Sequence, residues 1–263
     1  MFHVWGFAVP THEFFVFLGV AVAAAVFFRE ARQRGQLSWQ TLAVVAGALV
    51  GGAIGMRLSG WFRYLDPMLN PSLLEAWRFG THSILGGLAL AYVGVHVAKK
   101  LIGYRVRTGD LFAPAVALGM AVGRIGCLLT EAPGRPTELP WGVHAPGSVP
   151  NCPGCAAGAP MHPSFVYEIM FHLAAFAALY WLKPRLRHRS GALFTVYVAG
   201  YAVFRFAVEF TRANETVWLE LTRPQWFLTA GILLAVARAV LYYRTRAGRD
   251  ATTHERAREE TVT

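Results

Sequence analysis

An arginine ends a long apolar run in the segment Ala121-Val122-Gly123-Arg124-Ile125-Gly126-Cys127. A second arginine lies inside another apolar run, Tyr201-Ala202-Val203-Phe204-Arg205-Phe206-Ala207-Val208. Apolar runs of this length indicate membrane-spanning helices. Because an unpaired guanidinium at membrane depth costs several kcal/mol, each arginine needs a partner or a ligand. A guanidinium fork matches phosphate oxygens, so Arg124 and Arg205 are candidate phosphate-binding residues. The alternative is a structural ion pair, for instance between Arg205 and Glu209.

The rest of the chain has the composition of a membrane protein. Of its 263 residues, 55% are hydrophobic and 15% are charged, against about 25% charged residues in soluble proteins. The apolar residues form long blocks, which predicts one all-α, polytopic integral membrane domain over residues 1–243. The candidate spans, about seven by length, are 12–28, 40–58, 83–98, 110–130, 164–182, 191–211 and 224–242.

The two ends of the chain carry further information. The segment Met1-Phe2-His3-Val4-Trp5 lacks the basic region of a secretory signal, so we expect the first span to remain as an anchor. Residues 244–263 are rich in Arg, Glu and Thr, which predicts a disordered basic cytoplasmic tail.

The basic residues predict the orientation. With seven spans, sixteen of the 25 Lys and Arg residues fall on one side of the membrane. They are Arg29, Arg32, Arg34, Lys99, Lys100, Arg105, Arg107, Lys183, Arg185, Arg187, Arg189, Arg244, Arg246, Arg249, Arg256 and Arg258. The positive-inside rule makes that side cytoplasmic, with the N-terminus outside and the C-terminus inside. The net charge of +10 then reflects the orientation of the chain in the membrane, where its basic residues lie next to anionic lipid head groups. No nucleic-acid partner is expected.

Glycines in the second span recur at helical spacing. Gly47, Gly51 and Gly55 are four residues apart, and Gly52 lies beside them. Small residues at this spacing let two helix backbones approach closely, so we expect a helix-packing face here.

Polar residues concentrate at the outward ends of the predicted spans. They include His12, Arg57, His82, Arg124, Cys127, Glu131, Tyr167, Glu168, Arg205, Glu209 and Arg212. Arg205, Glu209 and Arg212 are at positions i, i+4 and i+7, so we expect them on one helix face. A polar cluster at one leaflet suits chemistry on a lipid head group, although helix ends are often simply polar. The outer loop 131–163, rich in Gly and Pro, is long enough to be functional.

Five ordered motifs resemble those of the prolipoprotein diacylglyceryl transferase family. In chain order they are Gly123-Arg124-Ile125-Gly126; Gly134-Arg135-Pro136-Thr137; Leu139-Pro140-Trp141-Gly142-Val143; His162-Pro163-Ser164-Phe165-Val166-Tyr167-Glu168; and Phe204-Arg205 followed by Val208-Glu209-Phe210 and Arg212. Leu85-Gly86-Gly87 fits the start of the third span. The resemblance extends from His12 to the last span.

The resemblance implies a multi-pass enzyme of the bacterial inner (plasma) membrane. Such an enzyme moves the diacylglyceryl group of phosphatidylglycerol onto the cysteine thiol of a lipobox-containing preprolipoprotein at the outer leaflet. No metal or organic cofactor is implied. Arg124 and Arg205 match the family's essential arginines, which would bind the lipid phosphate. Further substrate-binding residues implied by the motifs are Gly86, Gly87, Gly134, Arg135, His162, Tyr167, Glu168, Glu209 and Arg212.

The chain departs from the family pattern at four positions, one of which is the family's second Asn, lost here or replaced by Thr130. Cys127 stands where the family has Asn, Leu85 where it has a proposed base histidine, and His12 where it has a tyrosine. His82, His12 and Glu131 are therefore the candidates for the base that takes the acceptor proton.

The cysteines leave alternatives open. Cys152 and Cys155 form a Cys-x-x-Cys motif in the outer loop, and a disulfide is the expected state outside the cytoplasm. A zinc site with His144 and His162 is the alternative. Cys127 is either a small apolar filler or a thiol that contributes to the site.

Other functions fit the same residues. They are a related phospholipid head-group transferase with a different acceptor, a non-catalytic lipid-binding relative, and an anion transporter. Transporters often contain inverted repeats, and the sequence contains no evident one.

Overall fold

The computed structural model describes residues 2–4, 7–63, 83–144, 155–234 and 237. Its helices are α1 Thr11–Gln33, α2 Trp39–Arg63, α3 Ile84–Leu101, α4 Gly109–Thr130, α5 Ser164–Leu186 and α6 Ala192–Val208. A 3₁₀ turn, Glu209–Thr211, follows α6, and residues 223–234 are helical. Three antiparallel two-stranded sheets join β1 Phe2–Val4 to β2 Phe7–Val9, β3 Val143–His144 to β4 Pro160–Met161, and β5 Thr216–Trp218 to β6 Leu221–Thr222.

Six described helices are long and apolar enough to cross a membrane. The chain is therefore a multi-pass helical membrane protein, as the apolar blocks predict. The seventh predicted span, 224–242, starts within the helical segment 223–234, and most of its second half falls outside the described residues. The predicted tail 244–263 also lies outside them.

The connections contain more structure than the sequence predicts. The Gly- and Pro-rich loop 131–163 includes β3 and β4, and Thr137 N donates to Pro160 O over 2.9 Å. The described part of this loop therefore contains regular backbone pairing that its Gly- and Pro-rich sequence does not indicate. Short backbone pairings of two or three residues leave no detectable alternation in the sequence.

The described chain divides into two compact units. The first comprises Met1–Ala132 and Pro163–Tyr201, and the second comprises Pro133–His162 and Ala202–Thr263. The boundary falls within α6.

Glycine faces join the helices of the first unit in antiparallel pairs. A Cβ added at Gly47 would lie 2.7 Å from Gly94 O, so α2 and α3 touch backbone to backbone. This confirms the predicted packing face. A Cβ added at Gly19 would lie 2.6 Å from Gly119 O, and one at Gly126 would lie 3.1 Å from His12 O. The first turn of α1 therefore lies against the last turn of α4.

The connections that carry basic clusters meet at one end of the first unit, here called the basic end. Lys183 Nζ lies 2.7 Å from the fully buried Glu30 carboxylate, which joins the C-terminal ends of α5 and α1. Arg107 Nη1 donates to Ser190 O over 3.1 Å. Asp110 accepts from Gly191 N at 2.7 Å and thereby joins the start of α4 to the start of α6.

These contacts explain why the three helices that terminate at the basic end extend beyond their predicted ends. Helices α1, α3 and α5 end at Gln33, Leu101 and Leu186, whereas the apolar runs predict ends at 28, 98 and 182. The added turns carry charged residues that have partners at the basic end, so they remain helical without apolar side chains.

Candidate functional site

Arg124 forms a buried ion pair with Glu168 in the first unit. The guanidinium is on α4 and is 5% exposed, and Glu168 on α5 is fully buried. Arg124 Nη2 lies 2.5 Å from Glu168 Oε2. Among the described residues, Arg124 Nε has no hydrogen-bond partner. The carboxylate compensates the buried charge, and one donor of the guanidinium remains available to a second anion.

A thiol, an imidazole and a carboxylate lie beside this pair. Arg124 Nη1 is 3.8 Å from Cys127 Sγ, and Cys127 Sγ is 3.7 Å from His12 Nε2. His12 Nε2 is 3.7 Å from Glu131 Oε1. Cys127 is buried, whereas the side chains of His12 and Glu131 are 39% and 42% exposed. We call Arg124, Cys127, His12 and Glu131 the polar end of the first unit.

The geometry of the polar end follows from local sequence. Cys127 and Glu131 are four residues apart, so they lie on one face at the end of α4, where Glu131 N donates to Cys127 O over 2.8 Å. Gly126 has no side chain to separate α4 from α1, which brings His12 to the thiol. Two of the three predicted base candidates, His12 and Glu131, therefore lie at the polar end, where His12 is next to Cys127, the neighbour of Arg124. The third, His82, lies outside the part of the chain that the structure describes.

A buried histidine that the sequence analysis did not select lies one turn beyond Glu168. His172 is fully buried on α5, and its Nδ1 lies 3.2 Å from Tyr197 Oη. The ring of Tyr201 packs on it, with ring centroids 4.9 Å apart. The i, i+4 spacing of Glu168 and His172, matched by that of Tyr197 and Tyr201, is the signal that could have identified this polar stripe.

Arg205 has its own buried carboxylate in the second unit. Arg205 is 6% exposed, and its Nη1 donates to Oε2 of the fully buried Glu209. Glu209 Oε1 also accepts from Asn214 Nδ2 at 2.7 Å and from Thr222 Oγ1 at 2.8 Å. Motif matching missed Asn214 and Thr222 because neither lies in an apolar run.

The expectation of one continuous helical face for Arg205, Glu209 and Arg212 requires a correction. Helix α6 ends at Val208, and Glu209 begins a 3₁₀ turn. Arg212 follows the turn, with its Nε 3.9 Å from Glu209 Oε2. After the turn the chain leaves the helix, and Asn214 and Thr222 reach the Glu209 carboxylate. The ion pair is therefore part of a hydrogen-bond network with residues that follow the helix.

The outer-loop residues assemble around this turn. Arg135 N donates to Thr211 O over 2.8 Å, and Arg135 Nε donates to Arg212 O over 3.0 Å. Gly134 N donates to His162 O over 2.8 Å. The predicted residues Gly134, Arg135, His162 and Arg212 are thus neighbours in the second unit.

Cys155 is disulfide-bonded, which removes it from the alternative two-Cys, two-His metal site. Its expected partner, Cys152, is not among the described residues. Cys155 packs against Met161 of β4, and His144 is exposed on β3.

The other predicted substrate-binding residues lie in two helices of the first unit. Gly86 and Gly87 lie in α3, where they pack against Gly55 and Met56 of α2. Tyr167 lies in the first turn of α5, with its backbone N donating to Pro163 O over 3.2 Å. Roles for Gly86, Gly87 and Tyr167 remain predictions.

Comparison with known proteins decides the relationship that the motifs suggest. The profile of the family described as "Prolipoprotein diacylglyceryl transferase" matches residues 1–242. This chain belongs to the prolipoprotein diacylglyceryl transferase family. Both ion pairs and the polar end lie within the region that the family profile covers.

Several relatives, each named phosphatidylglycerol–prolipoprotein diacylglyceryl transferase, match most of this family member. The protein of Nocardia farcinica is 32% identical over 95% of the chain, and the chain spans 54% of that relative's length. The protein of Corynebacterium diphtheriae is 28% identical over 95% of the chain and 93% of its own length. The protein of Cupriavidus necator is 32% identical over 79% of the chain and 75% of its own length.

Proposed function

We propose that this chain transfers the diacylglyceryl group of phosphatidylglycerol to the cysteine thiol of a prolipoprotein. The observation that carries the proposal is the buried Arg124–Glu168 pair beside the polar end, in a chain that belongs to the transferase family. The printed names of the relatives supply the lipid donor and the protein acceptor.

The transfer breaks one bond and forms one. The acceptor thiolate attacks the glycerol carbon that bears the phosphate ester, a C–S bond forms, and the C–O bond to phosphate breaks. Glycerol phosphate leaves with the electron pair, so negative charge grows on the phosphate. The available Nε of Arg124 can donate to that phosphate in a buried environment, where electrostatic stabilisation is strong. For Arg205 we propose the role that the family resemblance assigns, binding of lipid phosphate.

The acceptor thiol must lose its proton before it attacks. His12 and Glu131 support this step because both are partly exposed and their polar atoms lie 3.7 Å apart. The imidazole can take the proton, and the carboxylate can stabilise the imidazolium. His82 stays a candidate from the sequence alone. The proposal includes recognition of the lipobox segment of the prolipoprotein by this chain.

For the membrane arrangement we propose seven spans in a bacterial inner membrane, with the N-terminus outside and the C-terminus in the cytoplasm. The meeting of three basic connections at the basic end supports this arrangement, because the positive-inside rule assigns such clusters to the cytoplasm. The polar end then faces the outer leaflet. Alkaline phosphatase fused within residues 102–108 should be inactive, and the same enzyme fused within residues 138–144 should be active. The opposite activities would reject the orientation.

The assay for transfer uses the purified chain in lipid nanodiscs with phosphatidylglycerol and a lipobox peptide. Mass spectrometry should detect a peptide heavier by one diacylglyceryl unit. Arg124→Ala and Arg205→Ala should each remove most of the product. Arg185→Ala is the matched control, because Arg185 is exposed at the basic end and contacts Trp181.

The outcomes separate the alternatives. Full turnover by both Arg124→Ala and Arg205→Ala would refute the proposed function. Anion flux into liposomes without peptide modification would identify a transporter, and lipid binding without either activity would identify a non-catalytic relative.

A further inference from the structure

Three metal-ligating atoms meet at the polar end. His12 Nε2, Cys127 Sγ and a carboxylate oxygen of Glu131 all lie within 4.8 Å of one another. Two of the separations, from the imidazole to the thiol and to the carboxylate, are 3.7 Å. Zinc bonds of about 2.0–2.3 Å at tetrahedral angles place neighbouring ligand atoms about 3.3–3.6 Å apart. Small side-chain movements would therefore bring all three atoms onto one ion.

We infer that His12, Cys127 and Glu131 form a zinc-binding site with an open fourth position. One imidazole, one thiolate and one carboxylate are a donor set that zinc takes in proteins, and three protein ligands with one open position is the arrangement of zinc sites that act on a substrate. The resemblance to the transferase family implies no metal. The donor set arises here because Cys127 and His12 replace the family's asparagine and tyrosine.

The charges at the polar end suit a divalent cation. The Arg124 guanidinium is already paired with the Glu168 carboxylate. A Cys127 thiolate and the Glu131 carboxylate together balance the two charges of the zinc ion, and the imidazole is neutral. Arg124 Nη1 lies 3.8 Å from Cys127 Sγ, so it can donate toward the thiolate and hold it in orientation, as hydrogen bonds to metal ligands commonly do.

The backbone holds the ligands in place before any metal binds. Cys127 and Glu131 are one turn apart at the end of α4, and the α1 backbone at His12 packs against Gly126. His12 and Glu131 are 39% and 42% exposed. The ligand set is therefore buried on its sulfur side and accessible on the other, where the open position can receive a further ligand.

The inferred site deepens the proposed function and rests on it for its role. With zinc bound, His12 Nε2 is a ligand, so activation by the metal would replace proton transfer to the imidazole. An acceptor thiol at the open position would lose its proton to solvent, because a thiol that coordinates zinc is deprotonated. The bound thiolate attacks the glycerol carbon, the C–S bond forms, and the C–O bond to phosphate breaks. Glycerol phosphate leaves toward Arg124. The product is an uncharged thioether, which binds zinc more weakly than a thiolate and dissociates.

Metal binding is tested independently of transfer. The full chain, purified through a histidine-free affinity tag, is dialysed against zinc and its metal content is measured by mass spectrometry. We expect one zinc per chain, and cobalt should give a thiolate-to-metal charge-transfer band. Cys127→Ser should remove both signals, and Glu131→Gln should lower the zinc affinity. His188→Ala, which removes an exposed histidine from the basic end, should bind zinc as the unmodified chain does.

Two results would overturn the metal site. One is an unmodified chain that binds neither metal, and the other is Cys127→Ser that binds both at unchanged stoichiometry. Thermal melting of each variant identifies any that has lost its fold. If Cys127→Ser is unfolded, the zinc affinity of Glu131→Gln, which conserves the side-chain volume, is compared with that of the unmodified chain.

Chelation separates the role of the metal from the proposed function. Removal of zinc should lower the rate of diacylglyceryl transfer about 100-fold, because loss of a group that assists proton transfer usually has an effect of this size. Added zinc should restore the rate. Full transfer by a metal-free chain would reject thiol activation by zinc and leave the proposed function intact. Zinc binding without transfer under any metal condition would reject the proposed function and leave the metal site intact.

Discussion

Glu168→Gln removes one charge from the ion pair that orients Arg124 and changes little else. Both side chains are almost fully buried, and the pair is joined at 2.5 Å. Glutamine keeps the volume and one carbonyl acceptor, so the loss is that of a charge-assisted hydrogen bond, about 1.5–3 kcal/mol. Complete removal of a partner from a buried pair costs more, about 3–5 kcal/mol.

That energy predicts the kinetic effect. If Glu168 holds the guanidinium in the orientation that meets the phosphate, the loss appears in kcat/KM. At about 1.4 kcal/mol for each factor of ten, we expect a decrease of about 10- to 150-fold. The peptide assay in nanodiscs measures it, with rates corrected for the folded fraction.

Glu220→Gln is the matched control for this experiment. It makes the same chemical change at an exposed turn residue between β5 and β6. Its kcat/KM should equal that of the unmodified chain. A folded Glu168→Gln variant with unchanged kcat/KM would refute the argument, because Arg124 would then keep its function without the charged partner.

Three further perturbations test other parts of the molecule. Glu209→Gln should lower kcat/KM about 10- to 100-fold by weakening the buried network of the second unit; unchanged kinetics would contradict this. Gly51→Ala should lower the thermal midpoint, because the added methyl overlaps the carbonyl oxygen of Leu90, whereas Gly52→Ala, with its nearest neighbour at 3.6 Å, should melt like the unmodified chain. Glu30→Gln should destabilise the basic end by about 1–3 kcal/mol in thermal melting and leave transfer per folded molecule unchanged; slower transfer would link the basic end to the site.

The spans could be predicted from the sequence because a bilayer demands apolar length, and that demand acts locally. The six described spans follow from it. The helix ends could not be predicted, because the last turns of α1 and α5 depend on Glu30 meeting Lys183 across the unit. Such a contact joins residues far apart in the chain, and no window of sequence contains both.

The site was predictable only in part for the same reason. The motifs identify Arg124 and Glu168 as candidate residues, but nothing in the sequence says that one pairs with the other. His12 and Cys127 become neighbours only because Gly126 lets α1 approach α4. The 3₁₀ turn at Glu209 escaped prediction because the predicted span 191–211 extends past the end of α6 at Val208.

The pairing of helices has a consequence for how the chain is assembled during synthesis. Helices α2 and α3 are consecutive spans, so their glycine faces can meet soon after both enter the bilayer. Gly19 of α1 meets Gly119 of α4, one hundred residues later in the chain. Helix α1 is therefore inserted well before its partner exists, with its glycine face turned to lipid or to the insertion machinery. Because the polar end needs both α1 and α4, a growing chain that has not yet reached α4 lacks the polar end.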